Sequence, residues 1–195
     1  RAALEILREP IETGEITISR AAGQLSFPAR FQLIAAMNPC PKGCDIDQYG
    51  LCQCNEQQLR RYRNKLSAPL LDRIDIQISV PKLAPQLLLE AQHTDKQDWP
   101  QLIAQIAQAR TRQMQRQHKL NALLSSQELQ SVCDLNSAIR QSTQDMMQQL
   151  QLTARGLHQI LKIARTIADL VDCKYIQIDH IHEAACYRKI SRLLH

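Results

Sequence analysis

Aromatic residues make up only 4% of this 195-residue chain: one tryptophan, two phenylalanines and four tyrosines. Any core must therefore be assembled from Leu, Ile, Val and Ala. No apolar run approaches the roughly 20 residues that a helix needs to cross a bilayer, and no signal-peptide pattern is present. The expectation is a cytoplasmic chain with no membrane partner. Glycine is scarce as well, with five in all, and no G-x-x-x-x-G-K-[ST] loop exists to cradle phosphates. Nor is there a large excess of one charge. The net +5 is compatible with a polyanionic partner but does not require one.

What is present is an ordinary soluble composition, 44% apolar and 22% charged, with two uneven distributions. Basic residues crowd at Arg60, Arg61, Arg63 and Lys65, and again at Arg110, Arg112, Arg116 and Lys119. Of the seven cysteines, Cys40, Cys44, Cys52 and Cys54 share one short stretch with the spacing C-x3-C-x7-C-x-C. Four thiolates so placed could close a tetrahedral structural Zn²⁺ site; reduced cysteines without metal are the alternative. Cys133, Cys173 and Cys186 are scattered through helical-looking sequence and read as small core residues.

Along the chain, residues 1–9 read as a helix with Leu4 and Leu7 on one side and Pro10 stopping it. Ile16–Ser19 alternates like a strand, Arg20 to Gly23 looks like a turn, and Phe27–Met37 returns as a second strand. Within it, Leu33–Met37 is apolar without alternation, as in a parallel strand buried on both faces. Asn38-Pro39 ends that strand. Ligand crevices lie at such carboxyl ends in open α/β sheets, so the Asn38 amide could orient a water or phosphate, or simply form a turn. Asn55 is a candidate cap for a basic helix through Leu66, and Ser67 for a short one through Leu71. Ile74–Val80 alternates cleanly as a strand. After Pro81 the pattern is helical: a polar linker to about Pro100, then helices over 101–119, 125–132, 135–150 and 153–171, and a last one capped by Asp179. The strongest amphipathic stripe is Leu157, Ile160, Leu161, Ala164, Ile167, Ala168 and Val171. The fold class expected is an α/β remnant, a β-hairpin plus parallel strands, over 1–82, a linker over 83–100 and an all-α bundle over 101–195, mainly α overall.

Four stretches together carry a family resemblance: Glu5–Ala21 (EILREPIETGEITISRA), Ala35–Pro41 (AAMNPCP), Arg61–Asp75 (RYRNKLSAPLLDRID) and Ala164–Leu170 (ARTIADL). They closely resemble the magnesium-chelatase-like AAA+ ATPases to which the bacterial competence proteins belong, collinearly over nearly the whole chain. The resemblance implies a hexameric ring ATPase using ATP and Mg²⁺ and working as a branch-migration motor on DNA. It places the phosphate-binding motifs upstream of Arg1, so the chain alone is expected not to hydrolyse ATP, phosphoryl transfer lacking its electrostatic clamp.

By the same resemblance, Asn38 matches the sensor 1 position, which orients the attacking water. Arg73 matches the arginine finger that reaches a neighbouring subunit's nucleotide; a salt bridge to Asp72 or Asp75 is the plainer reading. Arg155 matches the sensor 2 arginine. An arginine in the first turn of a helix opposes the macrodipole unless an anion is near; solvent exposure is the plainer reading of the residue alone, and the resemblance favours a γ-phosphate there. The hairpin resembles one that faces the ring channel in related helicases. It would set Arg20, with Arg60, Arg61 and Arg63, against DNA phosphate, unless these residues are solvated or pair with acidic groups of the next subunit. The 110–119 run reads as a solvated helix face. Two functions remain open: a DNA motor, or a chelatase-type or protein-remodelling subunit that does not touch DNA. A third, weaker reading makes 101–195 a DNA-binding module by itself.

Overall fold

A computed structural model of the chain describes residues 2–21, 23–44, 52–80 and 98–188. They fall into two compact units, divided along the chain after residue 82. The fold is mainly α, with one antiparallel β-hairpin and a helical bundle.

The first unit opens with α1 (Ala2–Ile6) and α2 (Arg8–Thr13). Pro10 does not stop a helix, as expected from its residue type, but sits buried inside α2. It occupies the first turn, where a missing N–H removes no intrahelical bond. The stop comes from Gly14 in the left-handed region (φ 72°), whose N–H donates to the Pro10 carbonyl at 2.9 Å. The chain then forms β1 (Glu15–Arg20) and β2 (Gly23–Pro28), paired from Glu15 with Pro28 to Arg20 with Gly23. Ala29 N–H donates to the Gly14 carbonyl at 2.7 Å and closes the hairpin's base onto α2.

Two expected strands are not strands here. Leu33–Met37 lies in a segment without regular structure, and so do residues 76–80. The hairpin is the only sheet among the described residues. A doubly buried parallel strand needs a ladder on both edges and cover on both faces, and the described residues supply neither. Ile34, Ile78 and Val80 accordingly stand 84%, 69% and 85% exposed. The cysteine-bearing loop leads to α3 (Glu56–Arg63), capped by Asn55 through a full capping box with Gln58, and to α4 (Ala68–Leu71), capped by Ser67.

The second unit contains α5 (Trp99–Gln117), a 3₁₀ turn (Asn121–Leu123), α6 (Ser126–Val132), α7 (Ser137–Gln149), α8 (Ala154–Leu170) and α9 (Ile178–Cys186). Most of the expected linker lies outside the described residues, and its last two positions already belong to α5. Side-chain caps set the starts of three helices: Ser125 on α6, Asn136 on α7 and Thr153 on α8. The last helix is capped by Gln177 rather than Asp179, which lies in its first turn. The apolar stripe of α8 forms the centre of the core, with Ile160 and Ala164 fully buried against Leu129, Ile139, Met146, Ile176 and Ile181. Cys133 packs into this core as expected; Cys173 is partly exposed and Cys186 exposed, so neither is a core residue.

Candidate functional site

Asn38 is exposed, two residues ahead of the buried Cys40. Its backbone carbonyl accepts a hydrogen bond from the Tyr62 hydroxyl at 2.9 Å, which ties this turn to the basic helix α3. Gly43, in the left-handed region at φ 65°, packs beneath the Asn38 amide. A methyl group on it would stand 3.4 Å from Asn38 Nδ2. Asn38 is exposed as a whole, so its amide stands at the surface of this turn with Gly43 close to its nitrogen.

The four clustered cysteines converge. All four Sγ atoms lie within 4.8 Å of one another. The Cys44 N–H donates to Cys40 Sγ at 3.1 Å, and Lys42 Nζ donates to the Gln53 carbonyl at 3.2 Å, joining the two halves of the loop. Burial opposes ionisation of Cys40, yet hydrogen bonds from Cys44, the Lys42 backbone and the Cys54 thiol outweigh it and bring its thiol down to about 6. Burial pushes the Cys54 thiol the other way, up to about 12, with hydrogen bonding to Cys40 adding to it.

Arg73 follows the short helix α4, and its guanidinium is held on two sides. Nη1 donates to the Pro69 carbonyl at 2.8 Å, and Nη2 pairs with Glu12 at 2.5 Å. Glu12 sits in α2, at the foot of the hairpin, and with Glu5, Arg8 and Glu9 it lines the cleft that Arg73 borders. Arg20 is exposed at the closed end of the hairpin. On α3, Arg60 pairs with Glu56 one turn earlier at 2.6 Å in an open setting, Arg61 is exposed, and Arg63 is half-buried. Asn38, Arg73, Arg20 and the α3 arginines thus belong to one unit, and Arg155 belongs to the other. Arg155 is half-buried in the first turn of α8, two residues after the Thr153 cap, whose hydroxyl accepts from Gly156 N–H at 3.1 Å.

The 110–119 run is not the free solvated face expected of it. Arg112 pairs with Asp172 at 2.7 Å, and Arg116 makes a two-pronged pair with Asp169 at 2.7 and 2.9 Å. Asp169 is 1% exposed, and Arg165 at 2% exposed pairs with it at 3.0 Å. Burial works against the Asp169 carboxylate, but the Arg116 and Asn121 hydrogen bonds and the nearby Arg165 charge hold its pKa below the ordinary value. This network anchors the far end of α8, whose first turn carries Arg155. Its one sequence signal, Arg165 and Asp169 at i and i+4 on the apolar side of α8, was passed over. Glu12 and Tyr62 carried no local signal of their roles.

These elements define a class. The family model "Magnesium chelatase, subunit ChlI" matches residues 1–88, and its companion "Magnesium chelatase, subunit ChlI C-terminal" matches residues 100–188. The chain belongs to this magnesium-chelatase-like family. Its relatives include the competence protein ComM of Haemophilus influenzae, 42% identical over 194 residues, and the uncharacterized protein YifB of Salmonella typhimurium, 41% identical over 195. The uncharacterized protein Rv2897c of Mycobacterium tuberculosis is 34% identical over 192 residues, 96% of this chain. The chain is covered completely by the first two matches but spans only 38% of the length of each of those relatives, and 37% of Rv2897c. No helix among the described residues is long and apolar enough to cross a membrane.

Proposed function

We propose that this chain supplies the sensing and lid parts of a hexameric AAA+ ring that uses ATP and Mg²⁺ to move along DNA. In this reading Asn38 orients the attacking water, Arg155 meets the γ-phosphate of the same subunit, and Arg73 reaches the nucleotide of the next. An arginine supplied across a subunit boundary stabilises transition-state charge and is worth roughly 10³–10⁵ in rate. Arg20 at the hairpin tip, with Arg60, Arg61 and Arg63, would contact DNA phosphates. Such contacts are independent of sequence, as a translocating motor needs. The observation that carries the reading is the exposed basic hairpin tip in a relative of a competence protein, built in one unit with Asn38 and Arg73.

The second reading, a chelatase-type or protein-remodelling subunit, draws support from the family's own description and uses the same three nucleotide-facing residues. Salt-dependent binding of a branched DNA separates the two. A chimera in which this chain replaces the matching segment of the Haemophilus influenzae relative should bind DNA with a steep salt slope. In Arg20→Ala the slope should shrink by about one per lost phosphate contact. DNA binding that is absent, or unaltered when Arg20, Arg60, Arg61 and Arg63 are all neutralised, would favour the second reading.

A further inference from the structure

We propose that Cys40, Cys44, Cys52 and Cys54 hold one structural Zn²⁺ ion, and that this ion fixes the turn carrying Asn38. Tetrahedral Zn–S bonds of about 2.3 Å place the sulfurs about 3.8 Å apart. The four Sγ atoms already lie within 4.8 Å of one another. Closing the site therefore takes movements of about 1 Å or less per thiol, within side-chain reach. Cys40 is fully buried, yet it belongs to no apolar cluster among the described residues. A fully buried thiol that joins no apolar cluster among the described residues fits a ligand better than a packing residue.

Four thiolates around Zn²⁺ carry a net double negative charge, which the surroundings must offset. The Cys44 N–H already points at Cys40 Sγ at 3.1 Å. The Lys42 ammonium donates to the carbonyl of Gln53, the residue between Cys52 and Cys54, at 3.2 Å. An iron–sulfur cluster interposes its own sulfides and would hold the thiolates farther apart than this. Two disulfides are the other way to use four close thiols, but they would place no donor requirement on the Cys44 amide.

The metal's consequence for Asn38 comes from connectivity. Only Pro39 separates Asn38 from Cys40, Gly43 lies beneath the Asn38 amide, and Tyr62 in the helix that follows Cys54 holds the Asn38 carbonyl. Closing the thiols on one ion locks the two loop segments that frame this residue. The value of that lock to ATP hydrolysis rests on the role proposed for Asn38 above; the metal site itself does not.

The chain is purified without chelator and its metal measured, with one zinc per chain expected. Exchange to Co²⁺ should give the visible bands and sulfur-to-metal charge transfer of a tetrahedral tetrathiolate site, and Cys40→Ser/Cys52→Ser should lose the metal. Chelation should raise hydrogen exchange about tenfold or more in peptides spanning 36–44 and 52–60, leaving the helices of the second unit unchanged. Absence of metal, brown iron–sulfur absorption, an octahedral Co²⁺ spectrum, or full zinc retention in the double variant overturns the site. Stoichiometric zinc whose removal leaves exchange at 36–44 unchanged overturns the link to Asn38. Neither result depends on whether the ring acts on DNA.

Discussion

Removing the carboxylate of Asp169 should destabilise the second unit sharply, and the structure sets the size of the effect. Asp169 accepts two hydrogen bonds from Arg116 and one from Asn121, and pairs with Arg165. In Asp169→Ala, Arg116 can turn outward, since its side chain is 29% exposed, and Asn121 keeps the Thr166 hydroxyl at 3.0 Å. Arg165 has no such exit. It is 2% exposed and retains only the Cys173 and Lys174 carbonyls. Leaving one member of a buried pair unmatched costs about 3–5 kcal/mol. The two carbonyls that Arg165 keeps place Asp169→Ala near the lower end, about 3 kcal/mol. For a unit of this size that is a fall in Tm of roughly 12–24 °C. Urea and thermal melts followed by far-UV circular dichroism measure it, and Asp169→Leu/Arg165→Met should recover most of the loss because both buried charges are gone. A fall below about 1 kcal/mol in Asp169→Ala, or a double variant no better than the single one, would mean that Arg165 and Asp169 do not act as a buried pair. The outcome bears on function because the network fixes the rotation of α8, and with it the direction of Arg155.

Two further perturbations have clear signs. The Lys119 ammonium, with the Ser125 backbone and hydroxyl, holds the Glu128 carboxyl down to about 2. A depressed carboxylate contributes stability above its unfolded value near 4.5, and loses it as pH falls toward 2. Glu128→Gln keeps the capping box on α6 but not the ion pair, so its Tm deficit should shrink steadily between those two values; a deficit flat with pH would contradict this. Gly14→Ala should cost about 1 kcal/mol or more, because φ is 72° and the new methyl meets Arg30 Cγ at 3.1 Å. The measurement is a denaturant melt, and unchanged stability would mean that the α2 stop is not where the structure puts it.

Much of the second unit was legible in the sequence because its helices carry local punctuation. Ser125 and Thr153 cap, and the α8 stripe recurs at helix spacing. The hairpin was legible in its first strand, since Ile16–Ser19 alternates, but its return strand was expected over Phe27–Met37 and lies at Gly23–Pro28 instead. Leu33–Met37 and Ile74–Val80 were misread because a strand depends on partners as much as on its own residues. Apolar content alone does not say whether a ladder is at hand. Pro10 misled through its residue type, when its position in the first turn decides its effect. The charged network was hidden because Arg116 and Asp169 lie 53 residues apart and a helix-face reading sees one helix at a time. The same limit hid Glu12 as the partner of Arg73, 61 residues away. The cysteine spacing, by contrast, announced the cluster that the fold then brings together.

In the proposed function this chain serves an ATP-driven ring acting on DNA, with Arg73 working across the subunit boundary. ATP turnover by the chimera with the Haemophilus influenzae relative, with and without branched DNA, in wild type and Arg73→Ala, tests it most directly. DNA should stimulate turnover strongly, and Arg73→Ala should reduce it by roughly 10³-fold or more. Turnover indifferent to DNA, or undiminished in Arg73→Ala, would contradict the proposed function.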